Sequence, residues 1–361
     1  MLYLQNIDLV QFRNYIQQTF SFNQKIVGFC GNNGIGKTNL LDAIYYLSFS
    51  KSYFARTDNS NVHHSLQGFR LHANYLLRKK EVTATCILRE NNKKEFLFDN
   101  EEYKKLSEHI GKIPCVMIAP DDVEMISGSS DLRRKFLDVI LSQINKNYLK
   151  NLIAYNQILQ QRNSILKQQL IQQDETLFTV ITDQLIQSGN FIFKIRYEFL
   201  QSFLQLVINN YNSIAPQNDS ISCTYQSQLL NNNFSELLNQ NRQSDLHLQR
   251  TTVGTHKDDI EFLLGESKFK TVASQGQRKS LLFALKLTEW QALKQHNGFP
   301  PILLLDDVFE KLDETRMNNL LSIVSNEENA QIFITDTHKE RLTQQLERLN
   351  KEFQIIELSP N

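Results

Sequence analysis

The chain has 361 residues, 41% of them hydrophobic and 22% charged, which suits a globular protein of one large or two ordinary domains. Its 39 basic side chains balance 39 acidic ones, so no global field draws it to nucleic acid or membrane, and any DNA contact must use local patches. Four scattered cysteines without C-x-x-C spacing fit reduced thiols better than a disulfide framework or a zinc site.

Residues 2–10 and 15–22 read as two strands around a break at Arg13-Asn14. The apolar segment Ile26-Val27-Gly28-Phe29-Cys30 predicts a buried strand. It runs into Gly31-Asn32-Asn33-Gly34-Ile35-Gly36-Lys37-Thr38, which matches the phosphate-binding octet G-x-x-x-x-G-K-[ST]. Leu40, Leu41, Ile44 and Leu47 follow at helical spacing. Strand, glycine loop and helix suit a nucleotide: backbone N–H groups converge on phosphate oxygens, and the helix N-terminus adds partial positive charge. Lys37 is expected to reach the β- and γ-phosphates of ATP as a catalytic cation, and Thr38 to offer its hydroxyl to Mg²⁺.

Lys51-Ser52-Tyr53-Phe54-Ala55-Arg56 is a basic-aromatic loop. Residues 69–98 alternate in the β manner and end at the turn Asp99-Asn100, predicting an antiparallel sheet beside the P-loop sheet. Residues 113–118 read as a return strand closed by Pro120-Asp121-Asp122. From about 122 to 245 helical spacing dominates a stretch rich in Gln and Asn, too short for long antiparallel coiled-coil arms. Residues 215–220 are expected to form a loop. Strands are expected at 259–264, 302–305, 332–334 and 353–356, with a long helix opening near Ser274. The N-terminus lacks the features of a signal peptide and no run of about 18 apolar residues occurs, so a cytoplasmic protein without a membrane partner is expected.

Ile302-Leu303-Leu304-Leu305-Asp306-Asp307, an apolar strand ending in acids, has the Walker B pattern. Asp306 is expected to hold Mg²⁺, directly or through water, and Asp307 to sit where a general base could orient the attacking water. The large gap between Thr38 and Asp306 points to ATPases whose two half-sites come from opposite ends of the chain. Between them, Ser274-Gln275-Gly276-Gln277 resembles the signature motif of ABC-type ATPases, an anion site at a helix N-terminus that in those enzymes meets the γ-phosphate on the other subunit.

Taken together these motifs resemble the RecF family, recombination-repair ATPases of the SMC-like ABC group. Phe12-Arg13-Asn14-Tyr15 is similar to the family's FRNY, Gly31 to Leu41 to GxNGxGKTNLL, and Pro120 to Asp138 to PxDLxLxxGxxxxRRxFLD. Gln161-Arg162-Asn163 resembles QRN, Gly254 to Asp259 resembles GPHRDD, and Leu312-Asp313 the D-loop pair. Thr255 and Lys257 stand where the family has proline and arginine, and Asp307 where transporters have glutamate. Asp336 lies where transporters place histidine, and His338, two residues late, is assigned no catalytic role.

The resemblance implies an α/β fold: a P-loop ABC-type ATPase head of mixed sheet with an antiparallel subdomain, split by a helical lobe without long coiled-coil arms. The expected division is 1–118 with 250–361 for the ATPase lobe and 119–249 for the helical lobe. It adds Arg13 and Asp313 to the nucleotide site. It also implies ATP-dependent homodimerisation, binding to single-stranded and duplex DNA at gaps and junctions, slow ATP hydrolysis, partnership with RecR and RecO, and support of RecA loading. Lys51, Arg56, Arg133, Arg134 and Lys135 are the candidate DNA contacts, with pairing to Asp131 or Asp138 an alternative role for the two arginines. Two rivals are the cytosolic ATPase subunit of an ABC transporter, which would not need so long a helical insertion, and a scaffold using ATP only as dimer glue.

Overall fold

Ile26–Cys30, Cys115–Ile118, Ile302–Leu305 and Ile332–Asp336 are near-continuous apolar runs, each buried along its whole length. Such runs belong in a parallel sheet covered on both faces. The computed structural model describes residues 1–168, 175–215, 219–307 and 314–359. It places these strands in a five-stranded parallel sheet, ordered Phe353–Glu357, Ile26–Cys30, Ile332–Asp336, Ile302–Leu305, Cys115–Ile118. The P-loop strand and the Walker B strand are thus separated by one strand, and being parallel both end on the same side of the sheet.

Leu2–Phe12, Phe69–Leu77 and Lys80–Leu88 alternate buried with more exposed positions, the pattern of a sheet with one wet face. With Tyr15–Ser21, Lys94–Phe98 and Glu101–Glu102 they form a six-stranded antiparallel sheet. The helix Lys37–Phe49 packs on both sheets, and every residue from Leu40 to Phe49 is buried. The sheets are also stapled by Gln331, whose amide accepts from Leu4 N at 2.7 Å and donates to Leu4 O at 2.9 Å, beside a β-bulge in the first strand. Both sheets belong to one compact unit of Met1–Val123, Asn210–Asn218 and Gln275–Asn361.

The second unit comprises Glu124–Asn209 and Asp219–Ser274. Its helices include Ser130–Ile144, Lys146–Gln168 and most of Glu175–Ile214, which at 40 residues is about 60 Å long. Phe178, Ile181, Leu185, Ile192, Phe203 and Val207 form its buried stripe, so the Gln and Asn residues between them serve as the polar face.

Three segments fall in the other unit from the one expected. Residues 250–274 lie in the second unit, because Asp259–Leu264 pairs along its whole length with Ile221–Gln226 and with the short strand Ser267–Lys268. Arg162 also binds Asp245 at 2.8 Å and Thr251 at 2.7 Å, and Arg196 binds Asp258 at 2.8 Å, all buried, so this segment is pinned to the helices. Conversely, residues 119–123 and 210–215 lie in the first unit; Asn210 donates to Thr288 Oγ1 at 2.9 Å and to Gln291 Oε1 at 2.8 Å. The strand Ile221–Gln226 falls where only helices and a loop were expected, although Ile221, Cys223 and Tyr225 alternate with Ser222, Thr224 and Gln226. Of the expected loop at 215–220, positions 216–218 lie outside the described residues. None of the four cysteines forms a disulfide, and among the described residues no helix is long and apolar enough to cross a membrane.

Candidate nucleotide site

The P-loop strand ends at Cys30 and the chain turns through Gly31 to Gly36 into the helix Lys37–Phe49. Gly36, at φ 113°, could not be another residue: a Cβ there would lie 2.4 Å from the Asn14 amide. That approach is what braces the loop. Asn14 Nδ2 donates to Ile35 O at 2.7 Å, Asn39 Nδ2 donates to Asn14 Oδ1 at 2.7 Å, and Tyr15 OH donates to Gly36 O at 3.0 Å. The FRNY turn is therefore a buttress under the P-loop, a role its residues did not declare in the sequence.

Lys37 is buried, and its ammonium donates to Gly31 O at 2.8 Å and Asn32 O at 3.1 Å. The cation is parked on the loop's own carbonyls. Thr38 Oγ1 donates to Asp306, 2.9 Å from Oδ1 and 3.0 Å from Oδ2, and Thr335 Oγ1 donates to Oδ1 at 2.9 Å. Asp306 is 3% exposed, and burial pushes its carboxyl up to about 6; Asp307 adds to this, while Thr38, Thr335 and Lys37 oppose it. A buried acid whose nearest partners are two hydroxyls fits a hard cation. Mg²⁺ is characteristically held by one or two protein oxygens plus nucleotide phosphates, and among the described residues no larger His, Cys, Asp or Glu cluster could hold a metal.

Asp307 has φ 43°, the left-handed region that Asp and Asn tolerate better than Glu, and its N–H donates to Thr335 Oγ1 at 2.8 Å. This backbone supplies a physical reason for the shorter acid. Thr335, which ties both Walker B acids to the neighbouring strand, escaped sequence reading; its one signal is that it follows the apolar run Ile332-Phe333-Ile334. Asp336 is buried and clamped by Arg341 at 2.6 and 2.9 Å and by His338 N at 2.8 Å, while His338 itself is exposed.

The signature helix spans Gln275–Asn297, with Ser274 and Gln275 exposed and Gly276 and Gln277 half-buried. The Arg316 guanidinium lies over Gly276, where a Cβ would approach Nη2 to 3.0 Å, and Arg316 Nε donates to Ser280 Oγ at 2.7 Å. Arg13 reaches the P-loop helix through Asp42, 3.3 Å from Nη2; that buried acid also accepts from Ser52 Oγ at 2.6 Å and Tyr53 N at 2.8 Å. Asp313 lies outside the described residues.

Of the candidate DNA contacts, Lys51, Arg56 and Lys135 are exposed. Arg133 is not available. It is 7% exposed, donates through Nε and Nη2 to Asp259 at 2.6 and 3.0 Å, and through Nη1 to Met125 O and Gly128 O at 3.1 and 3.0 Å. Four of the roughly five guanidinium donors are thereby used inside the second unit. Its expected role as a DNA contact is corrected to a structural one, and its partner is Asp259 rather than Asp131 or Asp138. Arg134 pairs with Asp131 and donates to Asp258 O at 2.6 Å, so it too is largely committed.

A family model described as the RecF/RecN/SMC N terminal domain matches residues 3–356. A protein of Phocaeicola vulgatus named DNA replication and repair protein RecF is 38% identical, over 98% of this chain and 95% of the relative. The chain belongs to the RecF family. A like-named protein of Flavobacterium johnsoniae is 37% identical over 99% of this chain and 100% of its own. A solved RecF–ATP complex, described as the recombination mediator protein of the RecFOR pathway, superposes with a TM-score of 0.86 at 29% identity, over 94% of this chain and 92% of that one. Fold and family agree with the resemblance drawn from the motifs: a RecF- and SMC-type ATPase head of mixed α/β structure. They set aside the transporter subunit.

Proposed function

We propose that this RecF-family chain is a slow, DNA-responsive ATPase clamp. Two copies sandwich two ATP molecules, each P-loop facing the partner's Ser274-Gln275-Gly276-Gln277. The P-loop amides and Lys37 bind the phosphates, with Lys37 exchanging the carbonyls of Gly31 and Asn32 for phosphate oxygens. Thr38 and Asp306 hold Mg²⁺, which neutralises phosphate charge when bound. Asp307 orients the attacking water, and hydrolysis opens the dimer and frees DNA. Gaps and junctions between duplex and single-stranded DNA are the substrate. RecR and RecO are the partners in loading RecA in the cytoplasm.

The observation that carries the nucleotide part is the convergence of Lys37, Thr38 and Asp306 at the C-terminal ends of the parallel strands, with the expected metal ligands Thr38 and Asp306 in mutual contact. The DNA part is supported by the family's name and by the exposed cations Lys51, Arg56 and Lys135. Sedimentation with ATP, with and without gapped DNA, tests the whole on wild type, Lys37→Met and Ser274→Arg. Wild type is expected to dimerise with ATP and both variants to stay monomeric. A monomeric wild type, or a dimerising Ser274→Arg, sinks the sandwich.

A further inference from the structure

The loop after the P-loop helix is held unusually firmly for a surface segment. Tyr53 N donates to Asp42 Oδ1 at 2.8 Å, and Phe54 N and Ala55 N donate to Ser52 Oγ at 3.1 and 2.8 Å. Ser52 in turn donates to Asp42 Oδ2 at 2.6 Å, and Tyr53 OH donates to Asp122. Three consecutive backbone N–H groups are thus satisfied by two side chains, and the Tyr53 ring is wedged edge-on against Tyr45, centroids 4.9 Å apart. A loop so pinned has no slack with which to tuck in a side chain. Yet Phe54 is 40% exposed, touching only the Tyr53 ring edge among its recorded ring contacts, at 5.2 Å and 74°.

The exposed part of the Phe54 ring forgoes burial worth about 1 kcal/mol. Among the described residues, the exposed large apolar side chains include one other aromatic, Tyr197, and that ring stacks on Phe193 at 6.0 Å and 28°. Phe54 differs in its flanks. Lys51 and Arg56, both exposed, stand three residues before and two after it.

An exposed aromatic ring with an exposed cation on either side of it in sequence is complementary to a nucleotide, whose base stacks while its phosphates meet the charges. We propose that Phe54 is a stacking platform for an unpaired nucleobase, with Lys51 and Arg56 holding the flanking phosphates. A base inside a duplex is covered on both faces by its neighbours, so only a single-stranded segment presents the surface that Phe54 accepts. The ring has no polar atom, so the platform accepts any base. In the DNA-binding reading on which this inference rests, the cations bring the protein to DNA and Phe54 tells a gap from intact duplex.

The test is fluorescence anisotropy with a slowly hydrolysed ATP analogue present, on blunt duplex and on duplex carrying a gap with 2-aminopurine inside it. Wild type, Phe54→Tyr and Phe54→Leu are compared after matching their melting curves. Phe54→Leu keeps apolar bulk but loses the π-face; it is expected to weaken gapped-DNA binding about 10-fold and to abolish the 2-aminopurine quench. Duplex affinity and the salt slope on gapped DNA stay unchanged, because the phosphate contacts remain. Phe54→Tyr behaves as wild type. An equal loss on duplex, no loss on gapped DNA, or impaired ATP-driven self-association of Phe54→Leu without DNA overturns the platform, the last marking a protein interface instead. A wild type that binds neither DNA shows that the underlying DNA reading has failed, before any variant is considered.

Discussion

Thr38 Oγ1 lies 2.9 Å from Oδ1 of Asp306, a residue 268 positions further along the chain. One belongs to the P-loop helix and the other ends the Walker B strand, so the contact exists only once the parallel sheet has formed. It joins the two expected protein ligands of a magnesium ion. If this is the metal site, Asp306→Asn and Thr38→Ala lower ATP affinity at least about 10-fold in the presence of Mg²⁺, and far less in EDTA. Calorimetric titration under both conditions checks this. Equal losses with and without the metal would falsify the assignment.

Asp307 sits at φ 43°, where Asn is as well tolerated as Asp. Asp307→Asn therefore keeps the fold and isolates the chemistry. Steady-state hydrolysis should fall at least about 100-fold, the ordinary contribution of a general base, and the ATP-bound dimer should persist longer in sedimentation. A scaffold that uses ATP only as glue shows neither change. Asp307→Glu, by contrast, carries a longer side chain in left-handed backbone and should lower thermal stability by about 1 kcal/mol.

Asn14 braces the P-loop through Ile35 O and Asn39. Removing it in Asn14→Ala leaves the Ile35 carbonyl and the Asn39 amide to find new partners, costing about 1–3 kcal/mol of stability. Because the loop loses its brace, ATP affinity should fall as well, measured by titration at a temperature where the variant is fully folded. Unchanged ATP affinity would mean that the FRNY turn supports the fold alone.

Arg133 and Lys135 lie two positions apart on one helix and should separate cleanly. Arg133→Ala strips the half-buried Asp259 of its partner and two carbonyls of a donor, and should destabilise the protein by about 1–3 kcal/mol, visible as a lower denaturation midpoint. Lys135→Ala should leave the midpoint unchanged. If Lys135 meets a phosphate, the same change lowers the slope of DNA affinity against salt by about one.

His109 is fully buried and donates from Nε2 to Leu47 O at 2.7 Å, with its ring 4.2 Å from that of Phe96. Burial pulls its imidazole down from 6.5 to about 4. The unfolded chain therefore takes up this proton first. The neutral ring's contribution is complete above about 6.5 and is lost as the pH falls toward 4, about 3 kcal/mol in all. His109→Gln can still donate to Leu47 O but does not titrate, so its denaturation midpoint should fall less steeply over that window. Parallel curves for the two proteins would refute the linkage.

Much of this was legible in the residues. The P-loop octet, the Walker B run and the signature tetrad are local patterns, because a phosphate cradle, a buried parallel strand and a helix start each impose their chemistry on consecutive positions. The antiparallel and parallel strands announced themselves by alternation and by unbroken apolarity. Lobe boundaries did not, because they depend on which distant strand completes a hydrogen-bond ladder. Asp259–Leu264 reads as part of an ATPase sheet until Ile221–Gln226 is found beside it.

Charge was the least legible property. Arg133, Arg134 and Lys135 are adjacent cations in sequence, yet Asp259 and nearby carbonyls consume the first, Asp131 and a carbonyl engage the second, and only the third faces water. The sequence by itself determined the family and singled out Lys37, Thr38 and Asp306 as candidate nucleotide-site residues. Only the tertiary structure decided which of the candidate cations are exposed and which are buried, that Asn14 and Thr335 brace the site, and that Phe54 stands exposed on a pinned loop. The reason is physical: a motif specifies what a group can bind, whereas burial and competing partners, set by residues hundreds of positions away, decide whether it is available to do so.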